Sequence, residues 1–119
     1  GGEGTRIELR SPDPSANQYL ALAVCLRAGL DGIINKIDPP AGVDRNIFEM
    51  TGEERRQLGI DELPGTLDEA VRELEKDSFI CQVLGSHVSE HYIAAKKKEW
   101  QEYRTQVTAW EVEQYLYRF

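Results

Sequence analysis

Three charged residues set two apart, Arg6, Glu8 and Arg10, form the clearest chemical pattern in this sequence. They alternate with apolar Ile7 and Leu9 in the period of two that marks a half-buried strand. An extended segment 5–11 would place all three on one face, about 6.6 Å apart. A carboxylate flanked by two fixed cations is held in its charged form, which suits an oxygen ligand for Mg²⁺ or Mn²⁺. Two guanidiniums can grip phosphate or carboxylate oxygens bidentately, as lysines cannot. A metal-binding carboxylate beside an arginine clamp is equipment for phosphoryl transfer. The same residues also fit the solvated face of an edge strand, with each pair worth about 0–1 kcal/mol. Alternation reports burial before chemistry, so on pattern alone the plainer reading is favoured.

The elements that must position this row follow in order. Gly1 to Gly4 reads as flexible, either partly introduced for expression or a loop from something longer. Ser11-Pro12-Asp13-Pro14 ends extended pairing, because proline lacks an N–H and restricts the residue before it. A helix follows, capped by Ser15 in a box with Gln18 or equally by Asn17. From Tyr19 to Ile34 it is apolar almost all round, the pattern of a helix buried on most sides, with Gly29 and Gly32 marking close packing or fraying. Asp38-Pro39-Pro40-Ala41-Gly42 is loop. Thr51 with Glu54 opens a short helix that Gly59 stops. Thr66 with Glu69 opens another, with an apolar stripe of Leu67, Val71 and Leu74 that Phe79, Ile80, Val83 and Leu84 continue to Gly85. Ser86 caps a helix to about Thr105, with Ile93, Trp100 and Val107 seven apart on one face. Thr108 with Glu111 starts a last short helix. The expected content is therefore one strand and about five helices, and a lone strand needs a partner for its backbone groups.

Composition narrows the function. The formal net charge of −7 argues against broad nucleic-acid binding, which needs a clustered positive surface. Lys96-Lys97-Lys98 is followed by Glu99 and reads as a solvated helix face. No apolar run approaches the length of a membrane span and no signal peptide precedes the first motif, so a cytoplasmic location is expected. Cys25 and Cys81 lack metal-ligand or redox spacing and read as two buried free thiols.

His87-Val88-Ser89-Glu90-His91 matches H-x-x-E-H, in which two histidines four apart hold zinc and the glutamate acts as base. A catalytic site of that kind needs a third protein ligand. The 28 residues that follow offer no scaffold beyond one or two helices, so the match reads as a chance pairing on a helix.

The run Arg6 to Asn17, with Tyr19-Leu20-Ala21 and Ala28-Gly29-Leu30-Asp31-Gly32-Ile33, closely resembles the C-terminal part of type I bacterial glutamine synthetase. The resemblance continues through Asn35-Lys36, Pro39-Pro40, Val43 to Ile47, Leu63-Pro64, Glu90-His91, Arg104 to Val107 and Glu113-Gln114-Tyr115, and so covers nearly everything after residue 4. It implies a mainly α fold: the helical C-terminal region of an α+β catalytic domain with one N-terminal β-strand. Residues 5–11 would be the strand, 15–110 the helical region and 111–119 a C-terminal thong.

The resemblance also implies roles. Glu8 corresponds to a ligand of the divalent metal, Mg²⁺ or Mn²⁺, beside the ATP γ-phosphate. Arg6 corresponds to an ATP contact, and Arg10 to the arginine that steadies the glutamate side chain while its γ-carboxylate is phosphorylated. The implied activity is an ATP-dependent ligase that makes glutamine from glutamate and ammonia through γ-glutamyl phosphate. The other metal ligands would lie in an N-terminal portion of the same enzyme, so this chain alone is expected to be inactive. The thong, Glu111 to Phe119, would enter a neighbouring subunit of a dodecamer. Two departures stand out. Gln18 replaces a helix-start proline, and Phe48 occupies the place of a tyrosine that one branch adenylylates, which points to the feedback-inhibited, non-adenylylated branch. A stand-alone helical interaction module is the competing reading.

Overall fold

The structure, a computed structural model, describes residues 2, 4–6 and 8–118. Gly1 and Glu3 of the terminus, Ile7 of the expected strand and Phe119 of the expected thong lie outside the described residues. The chain divides into two compact units, residues 1–63 and 64–119. Among the described residues the regular structure is entirely helical.

In the first unit the expected strand over 5–11 is not formed among the described residues. A strand's N–H and C=O groups need a paired neighbour, and each residue fixed in one conformation costs about 1–2 kcal/mol of backbone entropy. Exposed ion pairs between Glu8 and its arginines, each worth about 0–1 kcal/mol, are too weak to offset that over several residues. The following turn is built locally: the Ser15 amide and hydroxyl both donate to Asp13 Oδ1. That engagement leaves Asn17 to cap helix α1, Gln18–Ile34, by accepting from the amides of Tyr19 (3.0 Å) and Leu20 (3.2 Å). A side-chain oxygen at this position satisfies amides that have no partner inside the helix.

Helix α1 departs from expectation in its surroundings. None of its residues is buried, and Leu22, Leu26 and Ile33 are 69%, 65% and 75% exposed. A helix closes its own backbone hydrogen bonds, but its apolar faces need a second surface. A Cβ at Gly29 or Gly32 would meet open space, so neither glycine serves close packing here. Cys25 is likewise exposed and not buried. The C-terminus is a Schellman motif: Ile37 N–H donates to Gly32 O at 2.9 Å and Lys36 N–H to Ile33 O at 3.3 Å, with Lys36 at φ +53. A non-glycine residue in this left-handed region carries strain.

A single 3₁₀ turn, Ile47–Glu49, is capped by Asn46 and carries Phe48 fully outward. Helix α2, Gly52–Gln57, opens with the expected Thr51–Glu54 capping box. The bonds from Thr51, with help from Arg45, hold the Glu54 carboxyl below the usual glutamate range. Gly59, at φ +65, completes a second Schellman end in which Ile60 N–H donates to Arg55 O at 2.9 Å. Met50 is buried, and Arg55 ties this corner together by donating to Met50 O (3.1 Å) and pairing with Glu62 (2.8 Å).

The second unit packs its helices on one another. Helix α3, Leu67–Lys76, starts at Thr66, whose hydroxyl accepts from Glu69 N–H. Only half of the expected box forms, because the Glu69 carboxylate turns to Gly65 N–H instead (2.8 Å). The apolar stripe does not run on in one helix. Asp77 closes α3 and caps α4, Ser78–Leu84, by accepting from Ile80 N–H at 2.9 Å. Gly85, at φ +78, links α4 to α5, Ser86–Tyr103. Gly85 is the N-cap, and Ser86 is the first helical residue, with no side-chain cap. Instead the buried Ser89 donates its hydroxyl to Gly85 O at 2.9 Å.

Helices α3, α4 and α5 pack pairwise around Val71, which is 3% exposed. Leu74, Ile80, Leu84, Val88, Ile93 and Trp100 are half-buried beside it. Cys81 is half-buried, its thiol donating to Leu74 O. Val107 lies beyond the end of α5 and is exposed, so it does not extend the Ile93–Trp100 face. Helix α6, Ala109–Glu111, carries the expected Thr108–Glu111 capping box and widens into a π-type turn, Val112–Leu116. Thr108 holds the Glu111 carboxyl below its usual range.

Candidate functional site

The row on segment 5–11 converges on its central carboxylate even without a strand around it. Arg10 Nε donates to Glu8 Oε1, and Arg6 Nη2 lies 4.0 Å from Glu8 Oε2. Arg6 also reaches Gly4 O at 3.5 Å. The side chains stay open to solvent, at 73% for Arg6, 50% for Glu8 and 88% for Arg10. The guanidiniums therefore keep unused donors facing outward, available to an anion, with the carboxylate between them.

The structure brings these three residues together on an exposed segment. A concavity of about 560 Å³, lined by Thr66, Leu67, Glu99, Trp100 and Tyr103 among others, belongs to the second unit. Arg45, which no motif marks, pairs with Glu54 at 3.2 Å. Nine residues separate the two, a spacing with no helical or strand periodicity to announce it. His87 and His91 sit on α5 with ring centroids 4.3 Å apart, and among the described residues no group of three or more His, Cys, Asp or Glu could hold a metal ion together.

Residues 1–115 match the family described as glutamine synthetase, catalytic domain. The chain belongs to the glutamine synthetase family. It is 57% identical over 116 residues to a glutamine synthetase of Thermotoga maritima, covering 98% of this chain and 26% of that protein. A Clostridium saccharobutylicum glutamine synthetase is 52% identical, with 99% of this chain and 27% of the relative covered. One from Thermus thermophilus is 55% identical, with 97% and 26% covered. The chain thus spans about a quarter of the length of the curated relatives it matches.

Membership in this family makes a divalent cation the group against which to test the donor set. Glu8 is the right kind of donor, a hard carboxylate oxygen, but one carboxylate supplies at most two of the six or so ligands that Mg²⁺ takes. With no acidic or histidine cluster beside it among the described residues, Glu8 fits as one contributor to a metal shell and not as its holder. The arginines fit polyanion recognition on their own chemistry. No helix among the described residues is long and apolar enough to cross a membrane.

Proposed function

We propose that this chain supplies one wall of the catalytic site of a cytoplasmic glutamine synthetase, the ligase that forms glutamine from glutamate, ammonia and ATP. The observation that carries the reading is the convergence of Arg6 and Arg10 on Glu8 within a family match that extends across the row. Glu8 would contribute a carboxylate oxygen to Mg²⁺ or Mn²⁺, which when bound neutralises phosphate charge and orients it for transfer. Arg6 would hold ATP phosphate oxygens. Arg10 would hold the glutamate side chain as its γ-carboxylate oxygen takes the terminal phosphoryl group of ATP and ADP departs. Ammonia then displaces phosphate from γ-glutamyl phosphate. Fixed guanidiniums beside the transferring group act by positioning and by stabilising charge that develops in the transition state.

In this reading segment 5–11 becomes a strand when a neighbouring strand satisfies its backbone, and the apolar faces of α1 are covered by the rest of the enzyme. The 119-residue chain alone makes no glutamine, because a single carboxylate does not complete the metal shell. Phe48, outward and without a hydroxyl, cannot be adenylylated. The tail from Glu111 onward would dock into a neighbouring subunit of a dodecamer, with exposed Tyr115, Leu116 and Tyr117 as its apolar contacts.

The test is a chimera in which this chain replaces the matching quarter of the Thermotoga maritima relative. It should assemble and form glutamine from glutamate, ATP and ammonia. A chimera that assembles yet makes no glutamine would count against the reading. The same exposed tail aromatics favour a second reading, a helical interaction module without catalysis. That reading gains if the chain binds the relative's subunits while the chimera stays inactive.

A further inference from the structure

The histidine pair on α5 is unused by the proposed chemistry, and its two rings lie close together. His87 and His91 are both exposed and lie one helical turn apart, so their side chains share a face. Their ring centroids are 4.3 Å apart with the planes 39° from parallel. His91 Nδ1 sits 2.7 Å from the carbonyl oxygen of His87. A carbonyl can only accept, so Nδ1 carries the proton and the Nε2 lone pair is left free. Histidine ligands to metals are commonly fixed in this way, with one ring nitrogen donating to a backbone carbonyl and the other directed at the metal.

We infer that His87 and His91 form a two-imidazole site for a borderline divalent transition ion of the Zn²⁺ class, with water completing the coordination. An ion about 2.0–2.1 Å from each nitrogen, at a tetrahedral angle, needs the nitrogens about 3.3 Å apart. Ring centroids 4.3 Å apart are compatible with that separation. The neighbouring positions leave room. Ala94 and Ala95 stand three and four residues after His91, and Glu90, three after His87, is the one charged residue at these spacings and an anion. The net charge of −7 further favours a cation. Two imidazoles select against Mg²⁺, which takes oxygen ligands, so this site is chemically separate from Glu8. Because two protein ligands leave the rest of the shell to solvent, the ion exchanges readily, and the zinc-protease chemistry suggested by H-x-x-E-H is no part of the proposal.

Calorimetric titration of ZnCl₂ and, separately, MgCl₂ into the untagged full chain carrying Cys25→Ser and Cys81→Ser tests the site without thiol ligands. Zn²⁺ should bind at a single site and Mg²⁺ should not compete. His87→Ala and His91→Ala should each weaken Zn²⁺ binding by at least about 10- to 100-fold, since even the partners that merely orient a ligand are worth that much. The double variant His87→Ala/Ala95→His moves the pair one turn along the helix and should restore binding. Circular dichroism without metal checks that α5 persists in each variant. Absence of Zn²⁺ binding to the parent chain overturns the proposal. So does equal affinity in either single variant, or failure of the shifted pair to rescue when α5 is intact.

Discussion

Residues 1–63 and 64–119 solve different problems with similar local devices. Both open helices with side-chain caps at Asn17, Thr51, Thr66, Asp77 and Thr108, and both use glycine at positive φ to turn the chain. In the second unit the helices also bury side chains against one another, with Val71 and Ser89 enclosed where α3, α4 and α5 meet. In the first, α1 has no buried residue although it is the more apolar helix. Capping decides where a helix starts and stops, while packing decides whether its position is held. The row of Arg6, Glu8 and Arg10 lies in the unit whose longest helix is uncovered.

The largest effect is expected at the row. In the active chimera, Glu8→Ala should lower glutamine formation at least about 100-fold, on the order of 2.7 kcal/mol of transition-state stabilisation. The unfolding midpoint should hardly move, because the side chain is half exposed. Retained activity would show that the convergence of charges has no catalytic meaning. Next comes a paired truncation in the 119-residue chain by itself, followed by urea unfolding. Val71→Ala should cost about 2 kcal/mol by opening a cavity, whereas Leu26→Ala on α1 should stay within about 0.5 kcal/mol. Equal costs would mean that α1 is as well packed as α3.

Smaller effects probe the helix ends. Thr66→Ala should destabilise α3 by about 1 kcal/mol through the lost cap, seen as reduced protection of its first-turn amides from hydrogen exchange. Lys36→Gly should raise the stability of the first unit by up to about 1 kcal/mol by relieving the left-handed backbone at the end of α1; a lower unfolding midpoint would contradict this. The capping carboxylates predict a pH response. Glu54 and Glu111 are both lowered from 4.5, chiefly by the backbone bond from Thr51 and Thr108 respectively. A depressed carboxylate adds stability that is present above 4.5 and lost as the pH falls toward the lowered value. Helix signal in circular dichroism should therefore decline on acidification below 4.5, and Glu54→Gln with Glu111→Gln should remove that part of the slope.

Much of the helical plan was legible because its determinants are close in sequence. Thr51-x-x-Glu54 and Thr108-x-x-Glu111 each contain donor and acceptor within one turn, and both form reciprocal boxes. Local competition accounts for the departures at helix ends. Of the two caps the sequence offers for α1, Ser15 is taken by Asp13 and Asn17 serves; Glu69 prefers Gly65 N–H to the cap, and Asp77 divides the apolar stripe between two helices. The candidate site was legible as residue types at a spacing, and the family resemblance gave them roles. Its surroundings were not legible, because no periodicity in residues 5–11 states what pairs with them.

Local order in the chain sets which residues can cap, which cannot continue a helix, and that Arg6, Glu8 and Arg10 alternate in charge at a spacing of two. Three-dimensional packing settles what local order cannot: Val71 is enclosed while Leu22, Leu26 and Ile33 are not, and segment 5–11 has no strand among its described residues. Caps and turns close their hydrogen bonds within a few residues, so local order encodes them. Burial and strand pairing are relations between surfaces far apart in the chain, and they exist only when both surfaces are present.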